Sequence, residues 1–119
     1  MTVEADITTA LTPLVAAGSV YPDIGPVNAP RPYITYQQAG GESVSFMERA
    51  LPSKENARIQ VSVYADTRAA AKALIKQVEA ALAAATAFQA TALGASIGTY
   101  EQDTKLYGSL QDFSVWSDR

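Results

Sequence analysis

The run from Arg68 to Ala85 contains neither glycine nor proline, and it follows a segment with strict alternation of apolar and polar residues. Alanine fills half of the run, so the sequence predicts a slim helix that can lie close to a sheet. Asp66 or Thr67 is the expected N-cap. The larger apolar residues fall on one side and the charged residues on another; they are Leu74, Ile75, Val78 and Leu82 against Lys72, Lys76 and Glu79.

The preceding segment has the clearest strand pattern in the chain. Ile59, Val61 and Val63 alternate with polar residues, which predicts one buried face and one solvated face. β-branched and aromatic residues predict further strands, and these lie at 33–38, 43–46, 88–93, 97–101 and 107–116. In the last strand we expect Phe113 and Val115 to face the core.

The remaining segments comprise a first helix and the connections between elements. An apolar stripe predicts a helix over 3–11, with a second turn beginning at Pro13. Proline and glycine are so dense over 18–32 that no regular element is expected there, and 49–56 is polar and loop-like. The order α-β-β-β-α-β-β-β predicts a single α+β domain over 1–119. Its largely antiparallel β-sheet would carry two main α-helices packed on one face.

Two absences narrow the chemistry. The 119 residues include no histidine and no cysteine, which excludes Ser-His and Cys-His nucleophiles, His/Cys zinc sites and disulfides. A net charge of −3 with scattered basic residues argues against a nucleic-acid-binding protein. No segment reaches the roughly 20 apolar residues that span a membrane. The acidic amino terminus is unlike a signal peptide, so we expect synthesis in the cytoplasm and no membrane partner.

Two patterns could still suggest an enzyme. Gly94-Ala95-Ser96-Ile97-Gly98 matches the nucleophile-elbow string, but that motif needs a histidine base and a following helix, so a turn or bulge is the expected structure. The carboxylates Glu101, Asp103 and Asp112 could perform acid–base chemistry if the fold buried them together. Solvated charges are the commoner outcome, so we predict no catalytic residue, no cofactor and no metal.

The segment 40–56 is long for a connection in a small domain, and long connections often have a function. It mixes charges with apolar residues that look exposed. We predict subunit or partner contacts there, at Val44, Phe46, Met47, Glu48, Arg49, Leu51 and Lys54.

Six aromatic residues lie on predicted strands, and we expect them in the core and at subunit contacts. They are Tyr33, Tyr36, Tyr64, Tyr100, Tyr107 and Trp116.

The order and spacing of several segments carry a resemblance over nearly the full chain. They are Pro32-Tyr33-Ile34-Thr35-Tyr36-Gln37, Ala57 to Ala65, the helix opened by Asp66-Thr67-Arg68, and Ser109 to Trp116. Together they resemble the tail-completion proteins, or tail terminators, of long-tailed bacteriophages and prophages. The resemblance implies an α+β structural protein of the virion, not an enzyme.

The same resemblance implies partners and a place in the virion. Such proteins assemble as a ring, typically a hexamer, which caps the tail tube, stops its polymerisation and joins the tail to the head. The expected partners are other copies of the chain, the tail-tube protein and the head connector, at the head–tail junction. DNA would pass through the lumen without specific binding. Two alternatives stay open: another virion connector or tail-tube subunit, and a small ligand-binding α+β protein.

Overall fold

The described residues form two helices and one six-stranded sheet. The computed structural model describes residues 3–15, 19–25, 30–41, 54–102 and 105–118. The elements are α1 (Val3–Leu11), a 3₁₀ turn (Thr12–Leu14), β1 (Val20–Pro22), β2 (Tyr33–Gln38), β3 (Lys54–Ala65), α2 (Arg68–Ala84), β4 (Gln89–Ala92), β5 (Ile97–Glu101) and β6 (Leu106–Asp118). The predicted α+β class is confirmed.

A long central pair of strands organises the sheet. The strand order is β1-β2-β3-β6-β4, and β5 also pairs with β6. β3 and β6 run antiparallel along their lengths, from Lys54 opposite Asp118 to Ala65 opposite Tyr107. β1 is parallel to β2, whereas the other pairs are antiparallel. Because β4 and β5 take successive parts of the same β6 edge, β1 and the β4–β5 segment form opposite edges of the sheet.

The core lies between the helices and one face of this sheet. Ile59, Val61 and Val63 are fully buried, and so are Phe113 and Val115. The predicted alternation is therefore confirmed on both central strands. The helices contribute a set of buried side chains to the same cluster; it includes Ile7, Leu11, Leu74, Ile75, Val78 and Leu82. Burying each such side chain stabilises the fold by about 1.5–3 kcal/mol.

The helix ends follow from local hydrogen bonding. The Thr67 side chain accepts a hydrogen bond from the Ala70 backbone N–H at 3.1 Å, so Thr67 is the N-cap of α2. Asp66 instead accepts a hydrogen bond from Arg31, with 2.9 Å between Nη1 and Oδ1. At the other helix, Pro13 lies in the first positions of the 3₁₀ turn, where its missing N–H is tolerated. The predicted second turn is confirmed.

Two predictions about connections are wrong. Residues 18–32 contain β1, which is only three residues long and exists because Val20–Pro22 pairs with β2. Pro22 ends that edge strand, where a missing N–H does not interrupt a ladder. The segment 49–56 is not all loop, since β3 begins at Lys54; its polar first residues pair with the end of β6 and carry no apolar alternation. The predicted strand 43–46 lies outside the described residues.

Candidate interaction surfaces

The predicted contact segment is described only at its end. Val44, Phe46, Met47, Glu48, Arg49 and Leu51 lie outside the described residues, so their proposed role is untested. Lys54 begins β3 and forms an ion pair with Asp118 of β6. Both side chains are largely exposed, and such pairs contribute about 0–1 kcal/mol. A groove of about 560 Å³ lies beside them and is also lined by Phe88 and Trp116.

The β4–β5 segment forms an exposed apolar edge. Among the described residues, four large hydrophobic side chains are exposed, at 82% for Ile24, 53% for Leu93, 60% for Ile97 and 49% for Tyr100. Three of the four lie in this segment. Residues 89–101 contain no lysine and no proline, the residues that commonly protect an edge strand from pairing. The segment is therefore an exposed apolar edge without the residues that usually prevent pairing, and such an edge is a candidate for contact with another chain.

A buried amide fixes the shape of this edge. Ala92 pairs with Phe113 and Ile97 with Leu110, so four residues of the edge, 93–96, stand opposite two of β6. The Gln111 side chain is buried and donates from Nε2 to the Gly94 carbonyl at 2.7 Å. The same nitrogen donates to Glu79 Oε1 on α2 at 2.9 Å. Gln111 thus ties the break between β4 and β5 to the helix.

Sequence reasoning missed Gln111, although the sequence contains a usable signal. Alternation along β6 puts Gln111 on the same face as the fully buried Phe113 and Val115. A polar residue at a core position must have a hydrogen-bond partner, because an unsatisfied buried amide costs free energy. The signal predicts a partner without identifying it.

A basic cleft adjoins the same edge. Arg68 and Lys72 of α2 line it together with Ser96 and Tyr100, and its volume is about 400 Å³. The Arg68 guanidinium carbon lies 5.7 Å from the centroid of the Tyr107 ring. That ring lies 4.8 Å from the Tyr100 ring. The cleft therefore combines an aromatic wall with two cations, which suits an acidic group with an apolar neighbour.

The face of the sheet opposite the helices is mostly aromatic and polar. Tyr33 stacks on Tyr64 with ring centroids 4.9 Å apart, and Tyr21 meets Tyr33 edge-on at 6.2 Å. Burial raises the pKa of the Tyr33 phenol, and the nearby Tyr64 adds to the shift. All six aromatics expected on strands lie on strands. The Tyr36 hydroxyl, on the buried side, accepts a hydrogen bond from Thr8 at 3.1 Å.

Neither enzyme pattern assembles a catalytic geometry among the described residues. Ser96 lies between β4 and β5, where a nucleophile elbow requires a strand followed by a helix. Glu101 pairs with Leu106, whereas Asp112 lies six residues farther along β6, a separation of roughly 20 Å. Asp112 forms an ion pair with Arg58. Asp103 lies outside the described residues, and the described part of the chain holds no group of three metal-ligating side chains.

The chain is similar to one family of known proteins. No helix in the described part of the chain is long and apolar enough to cross a membrane. The family model described as tail completion protein gp17 matches residues 6–118, from within α1 to the last residue of β6. No curated protein matches the chain.

Proposed function

Because the chain belongs to the tail completion protein gp17 family, it is a structural component of the phage virion, and we propose that it forms a ring on the tail tube. The ring, typically hexameric in proteins of this kind, ends polymerisation of the tube and joins the tail to the head. The family match over 6–118 carries this proposal, because it spans every described strand and most of α1. The protein acts by binding and not by catalysis.

The surface of the subunit supports a ring. A cyclic assembly uses head-to-tail contacts, so each copy needs two different surfaces that fit each other. The apolar β4–β5 edge supplies one surface, and the opposite edge of the sheet, at β1 and Ile24, is available for the second. A net charge of −3 per copy also suits a bore through which DNA passes without being held.

The segment 43–54 is our proposed contact with the ring neighbour or the tail tube. The argument rests on its residues, since it places the apolar Val44, Phe46 and Met47 among the charged Glu48 and Arg49. The groove beside Lys54, with Phe88 and Trp116, extends the surface available to a partner where the segment joins β3. The head connector would bind a separate face of the ring.

Deletion of the gene in its phage tests the function. We expect electron micrographs to show filled heads separated from tails, with tails of irregular length. Supplying the intact chain from a plasmid should restore joined particles. Joined virions with tails of normal length in the deletion strain would refute the proposal.

The position of the protein in the virion distinguishes a terminator from a tube subunit. An epitope tag on the chain should place gold labels at a single position on each particle, the head-proximal end of the tail. Labels repeated along the tube would identify a tube subunit instead. Labels confined to the head would identify a head-completion adaptor.

A further inference from the structure

Exposed apolar side chains occur at both opposite edges of the sheet. Leu93, Ile97 and Tyr100 lie at the β4–β5 edge, and Ile24 lies just beyond β1 at the other edge. Ile24 is the most exposed of the four, at 82%. Surfaces at opposite edges can join copies in series, because a copy bound at one edge still presents its other edge.

The exposed residues of β5 lie on both faces of the sheet. Ile97 pairs with Leu110 on the face opposite the helices, whereas Tyr100 pairs with Tyr107, which packs against the core on the helix side. Because successive side chains of a strand alternate between faces, a partner lying flat on one face would cover only one of them. A partner at the edge covers both.

Charge distinguishes the two edges. Asp23 precedes Ile24 and is exposed, and its φ of 61° puts it in the left-handed conformation directly after β1. Within the described part of the chain its carboxylate takes part in none of the ion pairs. At the opposite edge, the cleft beside Tyr100 carries the cations Arg68 and Lys72. Its 400 Å³ would hold about a dozen water molecules, which is ample room for two side chains.

We propose that Asp23 and Ile24 of one copy enter the cleft between α2 and β5 of the next copy. The Asp23 carboxylate would pair with Lys72 and Arg68, while Ile24 would pack against Tyr100. The contact is heterologous, so it can repeat until a ring closes. This inference rests on the proposed ring function, for which it names the two surfaces.

Introduced cysteines test the contact directly, because the chain has none of its own. The chain carrying both Ile24→Cys and Tyr100→Cys should give a ladder of covalent multimers on a non-reducing gel after mild oxidation. Each single variant should stay monomeric, and a mixture of the two single variants should stop at dimers. The matched control carries Ile24→Cys with Ala83→Cys, an exposed position on α2, and should give no ladder.

Charge reversal provides a second measurement on the cysteine pair. Adding Lys72→Glu should lower the yield of cross-linked product by about fivefold, because it opposes Asp23 with a like charge. Adding Asp23→Lys to that variant should restore the yield. A yield that responds to neither change would overturn the proposed pairing.

The oxidation is performed both on concentrated purified protein and on virions assembled with the double-cysteine chain. Absence of the ladder in joined virions of normal form would overturn this inference and leave the proposed function intact. If the double-cysteine chain gives the ladder but deletion of the gene still yields joined virions, the contact exists and the proposed function is refuted. Covalent dimers from Tyr100→Cys alone would show a symmetric edge contact and would also overturn the inference.

Discussion

Replacing Gln111 with alanine removes both hydrogen bonds that hold the break between β4 and β5 to α2. The bond to the neutral Gly94 carbonyl contributes about 0.5–1.5 kcal/mol, and the bond to the charged Glu79 about 1.5–3 kcal/mol. Gly94 and Glu79 are both exposed and regain water in the variant, so the lower ends of these ranges apply. We expect a loss of about 2 kcal/mol in the free energy of unfolding.

Urea unfolding measures this loss. Trp116, the sole tryptophan, lies half-buried on β6 and reports fluorescence from the strand that Gln111 belongs to. A loss of about 2 kcal/mol corresponds to a fall of about 8 °C in the melting temperature for a chain of this length. Gln37→Ala is the matched control, since Gln37 is exposed on β2; it should change stability by less than about 0.5 kcal/mol.

A double-mutant cycle apportions the effect. Gln111→Ala, Glu79→Ala and the combined variant should give a coupling energy of about 1 kcal/mol between the two side chains. If Gln111→Ala unfolds within about 0.5 kcal/mol of the natural chain, the amide does not anchor the edge and the reasoning is refuted.

Three further perturbations follow from the described contacts. Gly41→Ala should cost about 1–3 kcal/mol in urea unfolding, because Gly41 has φ +148° and an added Cβ would lie 2.5 Å from a backbone oxygen; Gly94→Ala, with open space around it, should be nearly neutral. Tyr33→Phe should lose less stability than the natural chain as the pH rises above about 10, which urea unfolding at a series of pH values measures. Burial raises the pKa of the folded Tyr33 phenol above its unfolded value of 10.0, so its contribution is fully present below about pH 10 and is lost as the pH rises through the folded pKa. Arg58→Ala should cost about 1 kcal/mol, because Arg58 donates to Oδ2 of the Asp112 carboxylate, whose other oxygen, Oδ1, is buried without a hydrogen-bond partner among the described residues. In a thermal-melting cycle the same change should be nearly neutral when Asp112→Ala is already present.

Periodicity predicted the parts of the fold that bury apolar surface. The alternation through Ile59, Val61 and Val63 and the helical stripe of α2 each place their residues on the observed core side. Such patterns are informative because a shift of one residue in a strand would move its apolar set into water. The two helices and the long strands were therefore predictable from local sequence.

Long-range pairing accounts for what periodicity did not show. β1 has too few residues to show a pattern, and it is a strand only because β2 lies beside it. Lys54 likewise joins β3 because the end of β6 offers it a partner. The position of the carboxylates also depends on strand pairing. Glu101 pairs with Leu106, which lies far along β6 from Asp112, so the two carboxylates do not form a common site. No local signal contains the identity of a partner strand.

The break at 93–96 allows the β4–β5 edge to be apolar enough for a partner contact and still resist aggregation. A ring contact benefits from an apolar edge with free backbone groups, yet such an edge also invites aggregation. Stacked aggregates are favoured by uninterrupted segments of about six or seven residues with high β propensity. β4 has four residues and β5 five, and the break held by Gln111 keeps them from forming one longer strand. The edge can therefore stay apolar for one specific neighbour while each strand remains too short to template a sheet.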